Sequence, residues 1–243
     1  MPERILEVAS LTKHFGGLRA VHLDLTVDAR ELRCLIGPNG AGKSTFFRML
    51  SGAMRPSSGT VRFQGRDITG WDAFRIARLG MSIKFQVASV LEELSVRDNL
   101  HLAAEFRFGN RAGQRRAAEM LQVVGLTERA EHPATWLSHG EKQWLEIGMA
   151  SVGEPALILL DEPTAGMTAE EMKKTVRLLK RLNEVATVIV VEHDMNFIRM
   201  IAGRVTVMHQ GEVFAEGSME DIERNEGVRA IYLGKGSQYV VRR

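Results

Sequence analysis

The sequence is poor in cysteine and in long apolar runs, and each shortage excludes a class of protein. Among its 243 residues there is one cysteine, Cys34, within an apolar run. No disulfide can form inside the chain, which excludes disulfide-stabilised secreted folds. No stretch approaches the roughly 18 uninterrupted apolar residues of a membrane-spanning helix, and residues 1–7 lack the apolar segment of a signal peptide. We therefore expect a cytoplasmic protein that contacts a membrane only through another chain.

Net charge is also small. Lysine and arginine total 32 and aspartate and glutamate total 30, which gives +2 at pH 7 with histidine neutral. This balance creates no field over the whole molecule of the kind that gathers nucleic acid, so we expect no nucleic-acid partner. There is no internal repeat and no low-complexity segment. A chain of this length can bury a substantial core, and we expect a single domain with an added lobe.

One glycine-rich stretch organises the chain, between the apolar run 31–36 and the helix-like run 45–50. The stretch and the first residue after it are Gly37, Pro38, Asn39, Gly40, Ala41, Gly42, Lys43, Ser44 and Thr45. Its glycines let backbone N–H groups face a polyphosphate, and the helix that follows adds its positive dipole end. Lys43 is predicted to reach the β- and γ-phosphates and Ser44 to bind Mg²⁺. An ordinary strand-to-helix turn would not need the complete eight-residue pattern.

Candidate acids follow the apolar run 156–160, which is typical of a central parallel strand. The next such run, 187–191, is followed two residues later by His193. Open α/β sheets bind ligands at the carboxyl ends of their strands. We predict that Asp161 holds Mg²⁺ through water, that Glu162 orients or deprotonates an attacking water, and that His193 hydrogen-bonds a γ-phosphate. Taken singly, the acids could be a solvated strand end and His193 a surface or core histidine.

Residues 5–9 and 20–27 alternate apolar and polar side chains, as half-buried strands do, and we expect them to form an antiparallel layer. Between them Phe15 is predicted to lie in a loop flanked by glycines, where its ring stacks on an adenine or else fills the layer. Gln86 ends the strand-like run 81–85. Its amide is predicted to reach the metal or a water, the alternative being a solvent-facing loop residue.

The pattern from residue 87 to residue 151 is helical, and we expect an inserted helical lobe there. Its link, residues 109–116, is rich in glycine and arginine and is predicted to be a mobile exposed connection, solvated or facing a charged partner. A further helix opens at residues 137–141, where serine and glutamate have capping-box spacing. Because a capped helix start also attracts anions, a γ-phosphate presented from outside is predicted to meet Ser138, His139, Gly140 and Glu141.

Taken in order, these residues resemble the ATP-binding subunits of ABC transporters over nearly the whole chain. Phe15 is similar to the adenine-stacking aromatic, residues 37–44 to the Walker A loop, Gln86 to the Q-loop, 137–141 to the signature motif, 157–162 to the Walker B strand with its catalytic acid, and His193 to the switch histidine. Three positions depart from the family pattern. His139 stands where glycine is usual, Glu141 where glutamine is commonest, and Thr168 where the segment after Walker B usually ends in aspartate.

The resemblance implies an α/β fold, the P-loop NTPase fold of ABC ATPases. Such a fold has a mainly parallel central sheet, an N-terminal antiparallel β layer and an inserted α-helical subdomain. For this chain that places the core at 1–86 and 152–233, the helical subdomain at about 87–151 and a tail at 234–243. The implied cofactors are ATP and Mg²⁺, with two ATP molecules held between a head-to-tail pair of subunits.

The implied partners are a second ABC ATPase subunit, identical or paralogous, and transmembrane permease subunits that dock near residues 87–100. A periplasmic or extracellular solute-binding protein takes part indirectly, and the location is the cytoplasmic face of the cell membrane. Residues 37–43, 162–166 and 192–195 look like the branched-chain amino acid uptake subfamily. Residues 137–149, LSHGEKQWLEIGM, look closer to its urea and short-amide branch.

Two alternative functions from other classes of protein stay open. A soluble ABC-type ATPase that acts on nucleic acid or ribosomes usually has two cassettes or a long coiled-coil arm, whereas this chain has room for one cassette and has no heptads. A non-hydrolysing regulatory subunit is disfavoured because Glu162 and His193 are both present.

Overall fold

The computed structural model describes residues 3–84 and 90–233, which form ten strands and nine α-helices. The strands are β1 (Arg4–Phe15), β2 (Leu18–Asp28), β3 (Leu32–Ile36), β4 (Ser58–Phe63), β5 (Arg66–Asp67), β6 (Met81–Lys84), β7 (Leu157–Asp161), β8 (Thr187–Val191), β9 (Arg204–His209) and β10 (Glu212–Gly217). The helices are α1 (Lys43–Leu50), α2 (Ala73–Leu79), α3 (Val96–Phe108), α4 (Asn110–Val124), α5 (His139–Ser151), α6 (Ala169–Asn183), α7 (Met195–Ile201), α8 (Met219–Arg224) and α9 (Glu226–Leu233). No helix of the described residues is long and apolar enough to cross a membrane.

The N-terminal strands form the predicted antiparallel layer, in the order β2-β1-β4-β5. The loop predicted around Phe15 is wrong in extent. Strand β1 continues to Phe15, which pairs with Leu18, so only Gly16 and Gly17 are left for the turn. Gly16 has φ of +57°, a left-handed conformation that glycine adopts without steric cost.

The central sheet has the order β10-β9-β3-β8-β7-β6, and all neighbours are parallel except the edge pair β9 and β10. Both faces are covered, as the unbroken apolar runs predicted. Alternate residues enter two hydrophobic clusters. In β7, Leu157 and Leu159 pack toward α1 and the N-terminal sheet, whereas Ile158 and Leu160 pack toward α5, α6 and the inserted helices. The carboxyl ends of five parallel strands therefore meet at one edge.

Helices α3, α4 and α5 form the predicted helical insertion, and Leu100, Leu121 and Leu145 belong to the same hydrophobic cluster as one face of the central sheet. The division into core, subdomain and tail stays a prediction. The connection predicted at 109–116 is wrong, because α4 begins at Asn110, directly after Gly109.

The glycine at position 113 has a packing role that explains this difference. A Cβ atom at Gly113 would lie 3.1 Å from the backbone nitrogen of Glu105 on α3. Glycine here allows two antiparallel helices to approach closely, so the glycines of this stretch mark a helix–helix contact and a cap as well as a turn.

Candidate functional site

The glycine-rich loop runs from the end of β3 to the start of α1 and packs against strands β2 and β9. A Cβ atom at Gly37 would lie 2.2 Å from the carbonyl oxygen of Met208 on β9. One at Gly42, whose φ is +99°, would lie 2.8 Å from the carbonyl oxygen of Ala20 on β2. Both positions therefore require glycine, which lets the loop pack closely against β9 and β2.

Lys43 places its ammonium group inside this loop. The Nζ atom donates to the carbonyl oxygens of Gly37, at 2.7 Å, and Pro38, at 3.1 Å. Burial lowers the pKa of Lys43, while the charges of Glu162 and Asp161 oppose that shift. The acids at the end of β7 therefore lie close enough to interact with the cation of the loop.

Asp161 lies beside Ser44. Burial raises the pKa of Asp161 and so does the charge of Glu162, whereas Lys84, Lys43 and a hydrogen bond with Ser44 oppose the rise. A hydroxyl and a carboxylate side by side offer the oxygen ligands that Mg²⁺ prefers, and protein sites commonly supply only one or two of them beside phosphate oxygens. The residues present therefore fit the predicted metal. The described part of the chain has no cluster of three or more His, Cys, Asp or Glu residues suited to a metal.

Glu162 and His193 meet at the same sheet edge, as predicted. Their nearest atoms, Glu162 Oε1 and His193 Nδ1, are 3.7 Å apart. Glu162 has φ of +47°, an uncommon conformation for a residue other than glycine. Its N–H donates to the carbonyl oxygen of Val191 at 2.9 Å. The bond holds the backbone of Glu162 at the end of β8, next to the histidine.

The sequence reasoning missed a buried carboxylate that ties these strand ends together. The Glu192 side chain is almost completely buried, and its Oε1 accepts from the Thr164 N–H at 3.0 Å and from the Thr164 hydroxyl at 2.6 Å. Its Oε2 accepts from the His193 N–H at 3.1 Å. The loop after β7 is therefore anchored to the segment that carries His193. An acid directly before His193 was the only sequence signal.

The start of α5 has the predicted capping box. The Glu141 N–H donates to Ser138 Oγ at 3.2 Å, and the Ser138 N–H donates to Glu141 Oε2 at 2.9 Å. Gly140 packs on the start of α6, where an added Cβ atom would lie 2.2 Å from Glu171 Oε1. Thr168, the departure from the family's aspartate, caps α6 with the same arrangement. Two capped helix starts therefore lie side by side.

His139 also contacts the loop after β7. Its Nε2 lies 2.7 Å from the carbonyl oxygen of Ala165, and a carbonyl can only accept, so Nε2 carries the proton. The ring packs on Gly166, where a Cβ atom would lie 3.0 Å from Nε2. Sequence reasoning singled out His139 as a departure from the family pattern but did not predict this contact.

Two predicted residues are not brought into the cluster by the described contacts. The Phe15 side chain is 47% exposed at the end of the β1–β2 hairpin, with Lys13 Nζ 5.5 Å from its ring centroid. Base stacking by Phe15 stays a prediction. Gln86 lies outside the described residues, and its role also stays a prediction.

Comparison with known proteins finds relatives in the family that the motifs resemble. The profile of the ABC transporter family matches residues 21–165. The high-affinity branched-chain amino acid transport ATP-binding protein BraF of Pseudomonas aeruginosa is 35% identical, over 97% of this chain and 100% of its own length. LivG of Salmonella typhi, also a high-affinity branched-chain amino acid transport ATP-binding protein, is likewise 35% identical over 97% of this chain and 100% of its own length. The methionine import ATP-binding protein MetN of Brucella abortus is 34% identical over 91% of this chain and 62% of its own length.

Solved structures agree with the fold. A nucleotide-free ATP-binding cassette from an ABC transporter has a TM-score of 0.87 at 25% identity, covering 96% of this chain and 100% of the other. An ABC transporter cassette in its ADP conformation has a TM-score of 0.86 at 26% identity, covering 96% and 99%. A dimeric cassette in a post-hydrolysis state, bound to ADP and Pi, has a TM-score of 0.79 at 27% identity, covering 88% and 99%.

Proposed function

The chain belongs to the ABC transporter family of ATP-binding subunits, and from this premise we propose that it binds and hydrolyses ATP to drive the uptake of a small polar solute. One observation carries the proposal. At a single sheet edge, Lys43 and Ser44 of the glycine loop lie beside Asp161 and Glu162 at the end of β7. A cation within a loop of backbone N–H groups, next to hydroxyl and carboxylate oxygens, suits phosphoryl transfer from a nucleoside triphosphate.

The residues of the loop bind the triphosphate in this proposal. Lys43 and the loop N–H groups hold the β- and γ-phosphates, and an exposed ring at Phe15 stacks on the adenine. Ser44 would bind Mg²⁺ directly and Asp161 through water, with Gln86 as a further ligand of the metal or its water. When bound, Mg²⁺ neutralises negative charge on the transferred phosphoryl group.

The strand ends position the water in this proposal. Glu162 orients or deprotonates the attacking water, and His193, whose Nδ1 lies 3.7 Å from Glu162 Oε1, hydrogen-bonds the γ-phosphate. The bonds from Glu192 to Thr164 and His193 hold the two segments at a fixed separation. The carboxylate and the imidazole would therefore approach the same phosphate group.

We further propose that the start of α5 serves a nucleotide bound to a second subunit. Ser138 and Gly140 lie on the helical insertion, next to the start of α6, whereas the glycine loop packs on β2 and β9. The free N–H groups and positive dipole of the α5 start would meet the γ-phosphate from outside. A dimeric cassette among the similar structures supports this arrangement. ATP would then hold the pair together, and hydrolysis would loosen it.

The proposed cargo is branched-chain amino acids, because BraF and LivG, by their names, serve that transport. Residues 137–149 resemble the urea and short-amide branch, which makes those solutes the second candidate. Uptake of labelled leucine and labelled urea by cells that express the whole transporter distinguishes them. Leucine uptake that requires this chain supports the proposal, and urea uptake alone would replace the cargo.

The proposed setting is the cytoplasmic face of the cell membrane, where permease subunits hold the chain by docking near residues 87–100, of which 87–89 lie outside the described residues. A solute-binding protein outside the membrane would deliver the cargo. Purification from detergent extracts tests this placement. Recovery of multi-span membrane proteins with the chain supports it, whereas recovery of RNA or ribosomes instead would favour the soluble ABC-type ATPase.

Glu162→Gln tests the ATPase assignment. The amide is nearly isosteric but is no base, so turnover should fall at least about 100-fold while ATP still binds. Phosphate release measures turnover, and calorimetry on the same preparation measures ATP binding. Asp67→Asn makes the same change from carboxylate to amide at an exposed residue of β5. It is the matched control and should keep normal turnover. Near-normal turnover of Glu162→Gln would overturn the assignment.

A further inference from the structure

Hydrogen bonds on two adjacent residues, Thr164 and Ala165, connect the start of α5 with the segment that follows β8. On the α5 side, His139 Nε2 donates to the carbonyl oxygen of Ala165 at 2.7 Å. The neighbouring residue, Thr164, donates from its N–H and its hydroxyl to Glu192 at 3.0 and 2.6 Å. Glu192 then accepts from the N–H of His193 at 3.1 Å. The carbonyl that His139 holds belongs to Ala165, three positions after Glu162.

Each of these contacts is constrained by packing. Glu192 is only 1% exposed, so its carboxylate keeps the bonds to Thr164 without competition from water. The His139 ring is in contact with Gly166, which has φ of +73° and leaves room for the ring because it has no Cβ. On the other side, Gly140 brings the α5 start against Glu171. The middle of the loop 162–168 is therefore held by His139 on one side and by Glu192 on the other.

We infer that His139 is a positioning residue that connects the anion-binding start of α5 to the Glu162 loop of the same chain. This inference rests on the proposed function. In the proposed pair, the α5 start meets the nucleotide of the opposing subunit, while Glu162 serves the nucleotide of its own subunit. The hydrogen bond from His139 thus links the two nucleotide sites through one chain. The family's usual glycine has no side chain with which to make this link.

A complex with one active site separates this role from a direct contact between His139 and phosphate. One subunit carries Glu162→Gln, or the equivalent change where the mate is a paralogue, so only the other subunit's Glu162 turns over ATP. His139→Leu is introduced into the subunit with intact Glu162. There the substituted residue borders the inactive site, and within its own chain it reaches the active one through the loop 162–168.

We expect His139→Leu in this position to lower kcat about two- to tenfold, the range expected on losing one hydrogen bond. KM for ATP should change less than about twofold, since the ATP-binding residues are untouched. His139→Gln keeps an N–H donor of similar reach and should restore most of the loss. A purely structural effect would lower the melting temperature of both variants and would not be rescued by glutamine.

The reciprocal complex is the control. His139→Leu is placed in the Glu162→Gln subunit, where it borders the active site. Loss of turnover only in that arrangement would show that His139 acts on phosphate directly and would overturn the inference, as would unchanged kcat in both arrangements. Should the leucine variant fail to assemble, His139→Gly, the commonest family residue, gives the same comparison. Absence of turnover in the unmodified complex would instead count against the proposed ATPase.

Discussion

A buried ion pair joins the central sheet to α5, the helix whose start we propose binds an anion. Lys84 Nζ, at the end of β6, lies 3.1 Å from Glu146 Oε2 on α5, and the two side chains are 1% and 2% exposed. The same lysine lowers the pKa of Asp161, acting against the burial that raises it. One cation therefore contributes both to the packing of the helical insertion and to the charge of the candidate metal site.

Lys84→Met removes this cation and leaves the Glu146 carboxylate buried without it. Removing one partner of a buried pair typically costs about 3–5 kcal/mol, a large share of the roughly 5–15 kcal/mol that stabilises a folded protein. For a chain of this size the melting temperature should fall by about 6–20 °C. Circular dichroism on heating measures the fall.

The double variant Lys84→Met/Glu146→Met separates stability from function. Apolar residues of similar volume often replace a buried ion pair with little loss, so most of the stability should return. The double variant still lacks the cation that lowers the pKa of Asp161, so this carboxyl holds its proton more readily. Mg²⁺-dependent ATP binding should therefore be weaker than in the unmodified chain. If the free energy of unfolding of Lys84→Met lay within about 0.5 kcal/mol of that of the unmodified protein, the desolvation argument would be refuted. A double variant with normal ATP binding would refute the link to Asp161.

Three further changes test other parts of the site. Lys43→Ala should abolish ATP binding by calorimetry, because it removes the cation from the glycine loop; unchanged affinity would contradict the role of that loop. Ser138→Ala should cost up to about 2 kcal/mol of stability through the lost cap and also weaken ATP-driven pairing. Melting curves and a dimerisation assay read the two effects separately, and no change in either would dismiss both roles. Burial raises the pKa of Asp161, so the stability this carboxyl contributes below its ordinary pKa is lost as pH rises through the raised value. Asp161→Asn should therefore raise the melting temperature of the chain without nucleotide at pH 7 while weakening Mg²⁺-dependent ATP binding, and a lower melting temperature would contradict this sign.

Local signals predicted the parts of the site that depend on neighbouring residues. The glycine loop between β3 and α1, and the capping box at Ser138, are set by spacings of a few residues, and the structure has both of them. The meeting of Glu162 with His193 was predictable from topology, because parallel strands share a carboxyl edge.

Contacts between distant segments were not predictable in the same way. The bonds from Glu192 to Thr164 and from His139 to Ala165 join residues 28 and 26 positions apart, and the Lys84–Glu146 pair joins β6 to α5. No spacing rule indicates such pairs.

The glycine-rich stretch at 109–116 misled the prediction for a related reason. Glycine there serves the close packing of α3 on α4, and sequence alone does not distinguish that use from a flexible link. Helix α7 was missed as well, although Asp194 accepts from the N–H groups of Asn196 and Phe197 at its start.

The most direct test of the account is a structure of the assembled complex with Glu162→Gln, Mg²⁺ and ATP, by electron cryo-microscopy. We expect the triphosphate of each site to lie between Lys43 of one subunit and the capped helix start at Ser138 of the opposing subunit. A nucleotide absent from the glycine loop, or enclosed by a single subunit, would contradict the account.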